Sequence, residues 1–317
     1  MDYDIDVKTQ KMIEGISHYS DQIGGFGGRH ENLIASCDGV GTKILLAQLA
    51  KKRYNRSVSS IGIDCVAMVV NDLLCKGAIP LFFLDYFASA NIKEKDFNEI
   101  LEGIHDGCKQ SGMKLLGGET AELPGIIEKD TFDVCGFGVG QLPTYDYDGY
   151  PLPHKELPRS DINKGDVAIG LLSSGFHSNG FTLIRKYAIQ DKFDDDLSTW
   201  LDQLLIPTKI YVNDIKELNQ VGVDIKALAH ITGGGFKNVK RVLPKTLCVK
   251  YTDREKYYAH KNLFQWIQKE ASLTNSEMFQ TFNCGIGMVV IISKKDIKKI
   301  ENTDLDWVFL GKVDYKF

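Results

Sequence analysis

Apolar and polar positions follow two periods along the chain. Leu33–Cys37 is short and apolar and predicts a strand. Thr42–Arg53 carries apolar residues at 44, 45, 46, 49 and 50, the spacing of one helix face. Ile63–Lys76 is almost continuously apolar and long enough for a buried helix. Leu81–Ala88 is aromatic and predicts a strand. Lys95–Ser111 is amphipathic and helical, and strands are expected at Lys114–Leu116 and Phe132–Val139.

The pattern then breaks. Gln141–Ile162 holds Pro143, Pro151, Pro153 and Pro158 and shows no period, which marks a linker. Beyond it, strands are expected at Asp166–Leu172, Leu247–Tyr251, Gly287–Ser293 and Trp307–Val313. Helices are expected from Asn179 through Tyr187, from Pro207 through Leu218, and over Asn262–Glu270. Asp194–Asp196 reads as a solvated loop. The fold class is α/β (α+β): two domains with mixed sheets, 1–150 and 151–317. A chain of 317 residues fits two domains of ordinary size.

Composition narrows the function. Lys+Arg 38 against Asp+Glu 42 gives a net charge of −4, so no basic excess serves a nucleic-acid backbone. The longest apolar runs fall far short of the ~20 residues of a membrane span. Met-Asp-Tyr-Asp-Ile-Asp has neither the basic nor the apolar region of a signal peptide. The seven cysteines never form a C-x-x-C pair, and most lie in apolar runs, as buried thiols of a cytoplasmic protein would. The 30 glycines cluster, which suggests close backbone approach to a ligand.

No Walker A loop, dinucleotide fingerprint, zinc-protease pattern or nucleophile elbow is present. Five polar, glycine-flanked segments remain. In Cys37-Asp38-Gly39-Val40-Gly41-Thr42-Lys43, backbone N–H groups at a helix start suit phosphate, Lys43 supplies a point charge and Asp38 a cation ligand. The reading against this is an ordinary turn with a capping Asp. On the helix from Ile63, Asp64 and Asn71 are two turns apart and lie within about 20° of each other. A lone buried carboxylate is costly, so cation binding is one compensation; capping and local pairing is the other. Gly117-Gly118-Glu119-Thr120-Ala121-Glu122 offers further oxygen ligands. Asp85 lies inside an aromatic strand, where an unpaired charge is costly; a structural ion pair is the reading against a functional role. Ser173–Gly180 is dense in donors at a helix start, with His177 as acid, base or charge stabiliser. Ala229–Phe236 is a second anion nest, and His230 reads as a satisfied core histidine. Acids in the first half and nests in the second suggest phosphoryl transfer at a domain interface.

These segments, in this order, resemble the phosphoribosylformylglycinamidine cyclo-ligase family, over about residues 24–293. The matching residues are Asp38–Lys43, Gly62–Leu73, Pro80–Tyr86, Gly117–Gly125, His177–Gly180, His230–Phe236 and Thr281–Met288. The resemblance implies an ATP- and Mg²⁺-dependent ligase of purine biosynthesis. It closes formylglycinamidine ribonucleotide to 5-aminoimidazole ribonucleotide, releasing ADP and phosphate. It implies a cytoplasmic homodimer whose N-terminal sheets join into a barrel, with no nucleic-acid or membrane partner. On this chain, Asp38, Asp64, Asn71, Asp72 and Glu119 look like the metal ligands. Asp38, Gly39, Gly41, Thr42, Lys43, Asp64 and Asn71 look like nucleotide contacts. His177 and Asp85 look like the catalytic pair, and Ser174, Ser178, Asn179, Gly233, Gly234 and Gly235 like holders of the substrate. Three features depart from the family: Ser17-His18-Tyr19 stands where basic residues are usual, Phe176 where proline is frequent, and the tyrosine- and proline-rich linker 141–162 is longer than usual. Related readings are a selenophosphate synthetase or thiamine-phosphate kinase type of enzyme. A non-catalytic nucleotide-binding regulator is the alternative of a different class.

Overall fold

The computed structural model describes residues 25–143, 156–189, 197–252 and 260–316. The first unit holds β1 (Gly28–His30), β2 (Leu33–Gly39), α1 (Lys43–Tyr54), α2 (Ser59–Cys75), β3 (Ile79–Ser89), α3 (Glu94–Ser111), β4 (Lys114–Glu122) and β5 (Phe132–Gln141). Its sheet runs β1-β2-β5-β3-β4. β3 and β4 are parallel and the other pairs antiparallel, so this sheet is mixed as expected.

Alternation sets the two faces of that sheet. Ile34, Phe83, Phe87 and Val134 point under the helices and are buried. Gly136 leaves room for the Phe83 ring of β3, since a Cβ there would stand 2.2 Å from it, and Gly138 lets α2 lie close on β5, since a Cβ there would stand 2.6 Å from Val69. The opposite face carries Leu33, Tyr86 and Phe137, all exposed.

The second unit holds β6 (Val167–Leu172), α4 (Phe181–Ala188), α5 (Leu197–Leu204), α6 (Val212–Gln220), β7 (Ile225–His230), a 3-10 turn (Gly235–Arg241), β8 (Leu247–Tyr251), α7 (Lys261–Glu270), α8 (Asn275–Thr281), β9 (Ile286–Ile292), the short α9 (Ile297–Ile300) and β10 (Trp307–Tyr315). Its order is β7-β9-β6-β10-β8, and every pair is antiparallel. The expectation of a mixed sheet is therefore corrected here. β6 and β9 are buried along their length because they are central strands of that antiparallel sheet.

Three boundaries also change. β4 continues well past Leu116, because its Gly-Gly-Glu-Thr-Ala stretch pairs along the length of β3. The helix expected at Asn179 begins at Phe181, after Gly180 in the left-handed region. The helix expected from Pro207 begins only at Val212. Ile206–Tyr211 is an extended strap whose backbone groups are taken by side chains of the first domain. The 150/151 boundary, the acidic run Asp194–Asp196 and Ser17–Tyr19 lie outside the described residues. Among the described residues, no helix is long and apolar enough to cross a membrane.

Buried apolar residues of both units form one continuous cluster. α2 joins them, packing on β2 and β5 on one side and on β7 on the other. Gly62 and Gly103 let α3 approach it closely, since a Cβ at Gly103 would stand 1.8 Å from the Ser59 carbonyl.

Candidate active site

α2 turns one polar stripe toward the second domain. Asp64, Asn71, Asp72 and Cys75 recur at helical spacing on an otherwise apolar rod. Three clusters form along it.

At its N-terminal end, the Asp64 carboxylate pairs with Lys43, with Nζ 2.7 Å from Oδ2 and both side chains fully buried. Lys43 also donates to the Ile206 carbonyl at 2.7 Å and lies over the Phe181 ring. Burial pushes its ammonium below the usual lysine range, against the pull of Asp64. Asp64 Oδ1 accepts from Thr208 N at 2.7 Å, Thr208 Oγ1 at 2.6 Å and Ser178 Oγ at 3.2 Å.

At mid-helix, Asn71 grips the strap with both ends of its amide. Nδ2 donates to the Lys209 carbonyl at 2.9 Å, and Oδ1 accepts from Tyr211 N at 3.0 Å. Lys209 in turn pairs with Asp214 and lies over the Tyr211 ring.

Toward the C-terminal end, Asp72 Oδ1 is 2.9 Å from His230 Nδ1. His230 Nε2 lies 3.4 Å from the Asn71 amide nitrogen, which places the proton on Nδ1. The His230 N–H reaches the Cys75 sulfur. Asp38, at the end of β2, shares this region. Burial, then repulsion from Asp72, lifts its carboxyl from 3.8 to about 6, against the pull of Gly39 N–H, His230 and Arg241. Burial raises Asp72 as well, with His230 and Arg241 opposing. Arg241 donates to the Gly25 carbonyl, and its guanidinium covers the Phe26 ring, so the end of the N-terminal glycine loop lies beside the two acids.

The Ser173–Gly180 loop faces the strap. Ser174 Oγ donates to the Pro207 carbonyl at 2.6 Å. His177 holds a left-handed φ of 58° and is 1% exposed. Its Nε2 accepts from Ser174 N at 3.2 Å, with Lys209 N at 3.5 Å, while Nδ1 is buried without a partner. Burial, then the neighbouring cationic groups, hold this imidazole far below the ordinary histidine range. Asn179 donates to the Ile231 carbonyl. In the other nest, a Cβ at Gly233 or Gly234 would meet nothing within 4 Å, so backbone there is open to a ligand. Gly235 is closed against Phe279. Gly41 is equally open, and Thr42 reaches Thr182 across the domain junction at 3.2 Å.

The structure thus unites Asp38 with Asp72, and separately Lys43 with Asp64. Glu119 lies apart on the exposed strand β4 and accepts from its neighbour Thr120. Asp85 lies under Gly118, where a Cβ would stand 2.4 Å from Oδ1, and burial raises its carboxyl. Asp85 and His177 sit in different domains. Among the described residues, no three His, Cys, Asp or Glu side chains converge as a metal-ligand set. Sequence reasoning missed Thr208, Tyr211 and Arg241. The one available signal for the strap was its Thr-Lys-Ile-Tyr composition, which disfavours a helix.

Two part-buried carboxylates, glycine backbone open to a ligand and a domain junction meet here in a two-domain α/β chain. The chain belongs to the AIR synthase related family: the N-terminal domain of that description matches residues 22–142, and the C-terminal domain residues 163–316. It is 43% identical over 293 residues to a phosphoribosylformylglycinamidine cyclo-ligase of Finegoldia magna, covering 87% of this chain and 80% of the relative. A thiamine monophosphate kinase from Aquifex aeolicus shares the fold, with a TM-score of 0.63, 14% identity, and coverage of 98% of this chain and 92% of that one. A structure of AaThiL complexed with AMPPCP and TMP does so with a TM-score of 0.65 at 13% identity, covering 98% and 90%.

Proposed function

We propose that the chain catalyses ATP-dependent ring closure of formylglycinamidine ribonucleotide to 5-aminoimidazole ribonucleotide, with release of ADP and phosphate. It is a ligase of purine biosynthesis. In this reaction ATP phosphorylates the formamide oxygen, an amidine nitrogen attacks the activated carbon, and phosphate leaves. The observation that supports the reading is the placement of Asp38 near Asp72, with His230 and Arg241 close to both. Burial first, and then repulsion from the nearby Asp72 carboxylate, raise the part-buried Asp38 to about 6. Carboxylate oxygens are the donors a hard divalent ion takes.

In this reading Asp38 and Asp72 hold Mg²⁺, which when bound neutralises nucleotide phosphate charge. His230 fixes Asp72 by its Nδ1 proton. The open backbone at Gly233 and Gly234 receives substrate phosphate, with Gly235 shaping the turn. Gly39, Gly41 and Thr42 line the nucleotide side, and Ser178 and Asn179 the substrate side. Asp85, its carboxyl raised, is the group available for a proton at the formamide. A homodimer through the open face of the first sheet is supported by exposed Leu33, Tyr86, Leu116 and Phe137. A reducing, cytoplasmic setting is supported by seven cysteines that are all free thiols.

The test is direct. Purified protein with formylglycinamidine ribonucleotide, ATP and Mg²⁺ should yield an aminoimidazole detected by diazotisation, in step with ADP and phosphate. ATP binding without product would favour the nucleotide-binding regulator.

A further inference from the structure

The strap Ile206–Tyr211 belongs to the second domain, yet its backbone is held by the first. Lys43 takes the Ile206 carbonyl, Asp64 the Thr208 N–H and hydroxyl, and Asn71 the Lys209 carbonyl and Tyr211 N–H. On its other side the strap meets the substrate loop. The Pro207 carbonyl accepts from Ser174 Oγ, and the Lys209 N–H points at His177 Nε2.

Capacity decides what Asp64 can do. A carboxylate offers about four lone-pair sites. Three donors converge on Oδ1, and the Lys43 ammonium occupies Oδ2. The group is fully buried and charge-balanced. Asn71 likewise spends both ends of its amide on strap backbone. A cation at either residue would stand against the Lys43 ammonium on Asp64 or compete with the Tyr211 N–H for the Asn71 oxygen. Among the described residues, Asp72, one residue further round the helix, has His230 as its side-chain partner, and Asp38 has its neighbour's N–H.

We infer that Lys43, Asp64 and Asn71 are positioning residues that latch the strap, with Thr208 as the latched group, and that cation binding is left to Asp38 and Asp72. The latch sets the height of the strap, and the strap sets the Ser173–Gly180 loop through Ser174 and His177. His177 then acts as an acceptor for two backbone N–H groups, carrying its proton on Nδ1, and shapes the loop without exchanging protons with the substrate. The inference rests on the cyclo-ligase reading for its kinetic arm and for the cation at Asp38 and Asp72.

The experiment compares wild type with Thr208→Val, Thr208→Ser and Asp38→Asn in the full chain. Mg²⁺–AMPPCP binding is measured by calorimetry, KM for ribonucleotide and for ATP by turnover, and the His177 tautomer by ¹⁵N NMR. Thr208→Val should raise KM for the ribonucleotide about tenfold while leaving Mg²⁺–AMPPCP affinity within about twofold. Thr208→Ser, which keeps the hydroxyl, should return that KM to within about threefold of wild type. Asp38→Asn should weaken Mg²⁺–AMPPCP about tenfold or more. Wild-type His177 should show the Nδ1–H tautomer, with Nε2–H gaining in Thr208→Val. Equal loss of Mg²⁺–AMPPCP affinity in Thr208→Val and Asp38→Asn would overturn the inference, as would an Nε2–H tautomer in wild type. Asp64→Asn strands the Lys43 charge and risks misfolding, so Thr208 carries the test. If wild type performs no ring closure, the functional reading fails on that result alone, while calorimetry and NMR still decide the latch.

Discussion

Lys43 Nζ and Asp64 Oδ2 lie 2.7 Å apart with no exposure to solvent on either side chain. They join the first residue of α1 to the sixth of α2, and the strap of the other domain closes over them. A pair of this kind stabilises little in net terms, because desolvation offsets the attraction. Breaking it is another matter.

Lys43→Met should therefore destabilise the fold by about 3–5 kcal/mol, since it leaves Asp64 buried and uncompensated. The double variant Lys43→Met/Asp64→Leu should recover much of that loss. Urea unfolding followed by circular dichroism measures both. A single variant as stable as wild type would mean that the carboxylate finds water.

How far the sequence discloses this arrangement depends on which physics is local. Strand and helix periods are local, and β2, α2, β3 and α3 follow from them. So does the stripe at Asp64 and Asn71, whose angular spacing is fixed by the helix. What the stripe faces is not local. The same buried carboxylate is satisfied by a cation or by a lysine, and the choice depends on whether Lys43 points inward, which a helix-start lysine seldom does. The strap shows the same limit. Pro207 is acceptable in a first helical turn, but Thr208, Lys209 and Tyr211 gain more from α2 side chains than from a helix of their own. The antiparallel order of the second sheet is likewise non-local, because buried strands of either kind are uniformly apolar.

Asp38 gives the fold a pH dependence of known sign. Its folded value of about 6 lies above the ordinary carboxylate value of 3.8, so the folded state binds the proton more tightly. The contribution to stability is complete below 3.8 and is lost as pH rises through about 6. In the presence of a chelator, the stability of wild type relative to Asp38→Asn should fall between those two values and then level. Thermal unfolding from pH 4 to 8 reads the difference. A flat difference would mean that Asp38 is solvated or paired in solution. Added Mg²⁺ should narrow the difference above pH 6, where the ionised carboxylate binds it.

Two glycines should respond oppositely to the same substitution. Gly103→Ala forces a Cβ to within 1.8 Å of the Ser59 carbonyl, so α3 must move off α2. A loss of about 1–3 kcal/mol is expected. Gly233→Ala meets nothing within 4 Å and should leave stability unchanged within about 0.5 kcal/mol. Its methyl would instead project into the space assigned to substrate phosphate, raising KM for the ribonucleotide. Denaturation curves and steady-state kinetics on the two variants separate the effects.

The open face of the first sheet makes the last prediction. Phe137 pairs in register with Cys37 on one side and Leu84 on the other, and Tyr86 lies one row further along beside Cys135. Phe137 is 42% exposed and Tyr86 39%, at the centre of a five-stranded sheet whose other face is covered by helices. A half-exposed aromatic row in mid-sheet is poorly accounted for in a monomer and well accounted for if a second copy covers it. Phe137→Asp places a charge there that an isolated chain can hydrate and a dimer cannot. The variant should run as a folded monomer by light scattering, with wild type at twice that mass and with unchanged secondary structure by circular dichroism. A monomeric wild type, or a Phe137→Asp dimer, would remove the face from consideration as the interface.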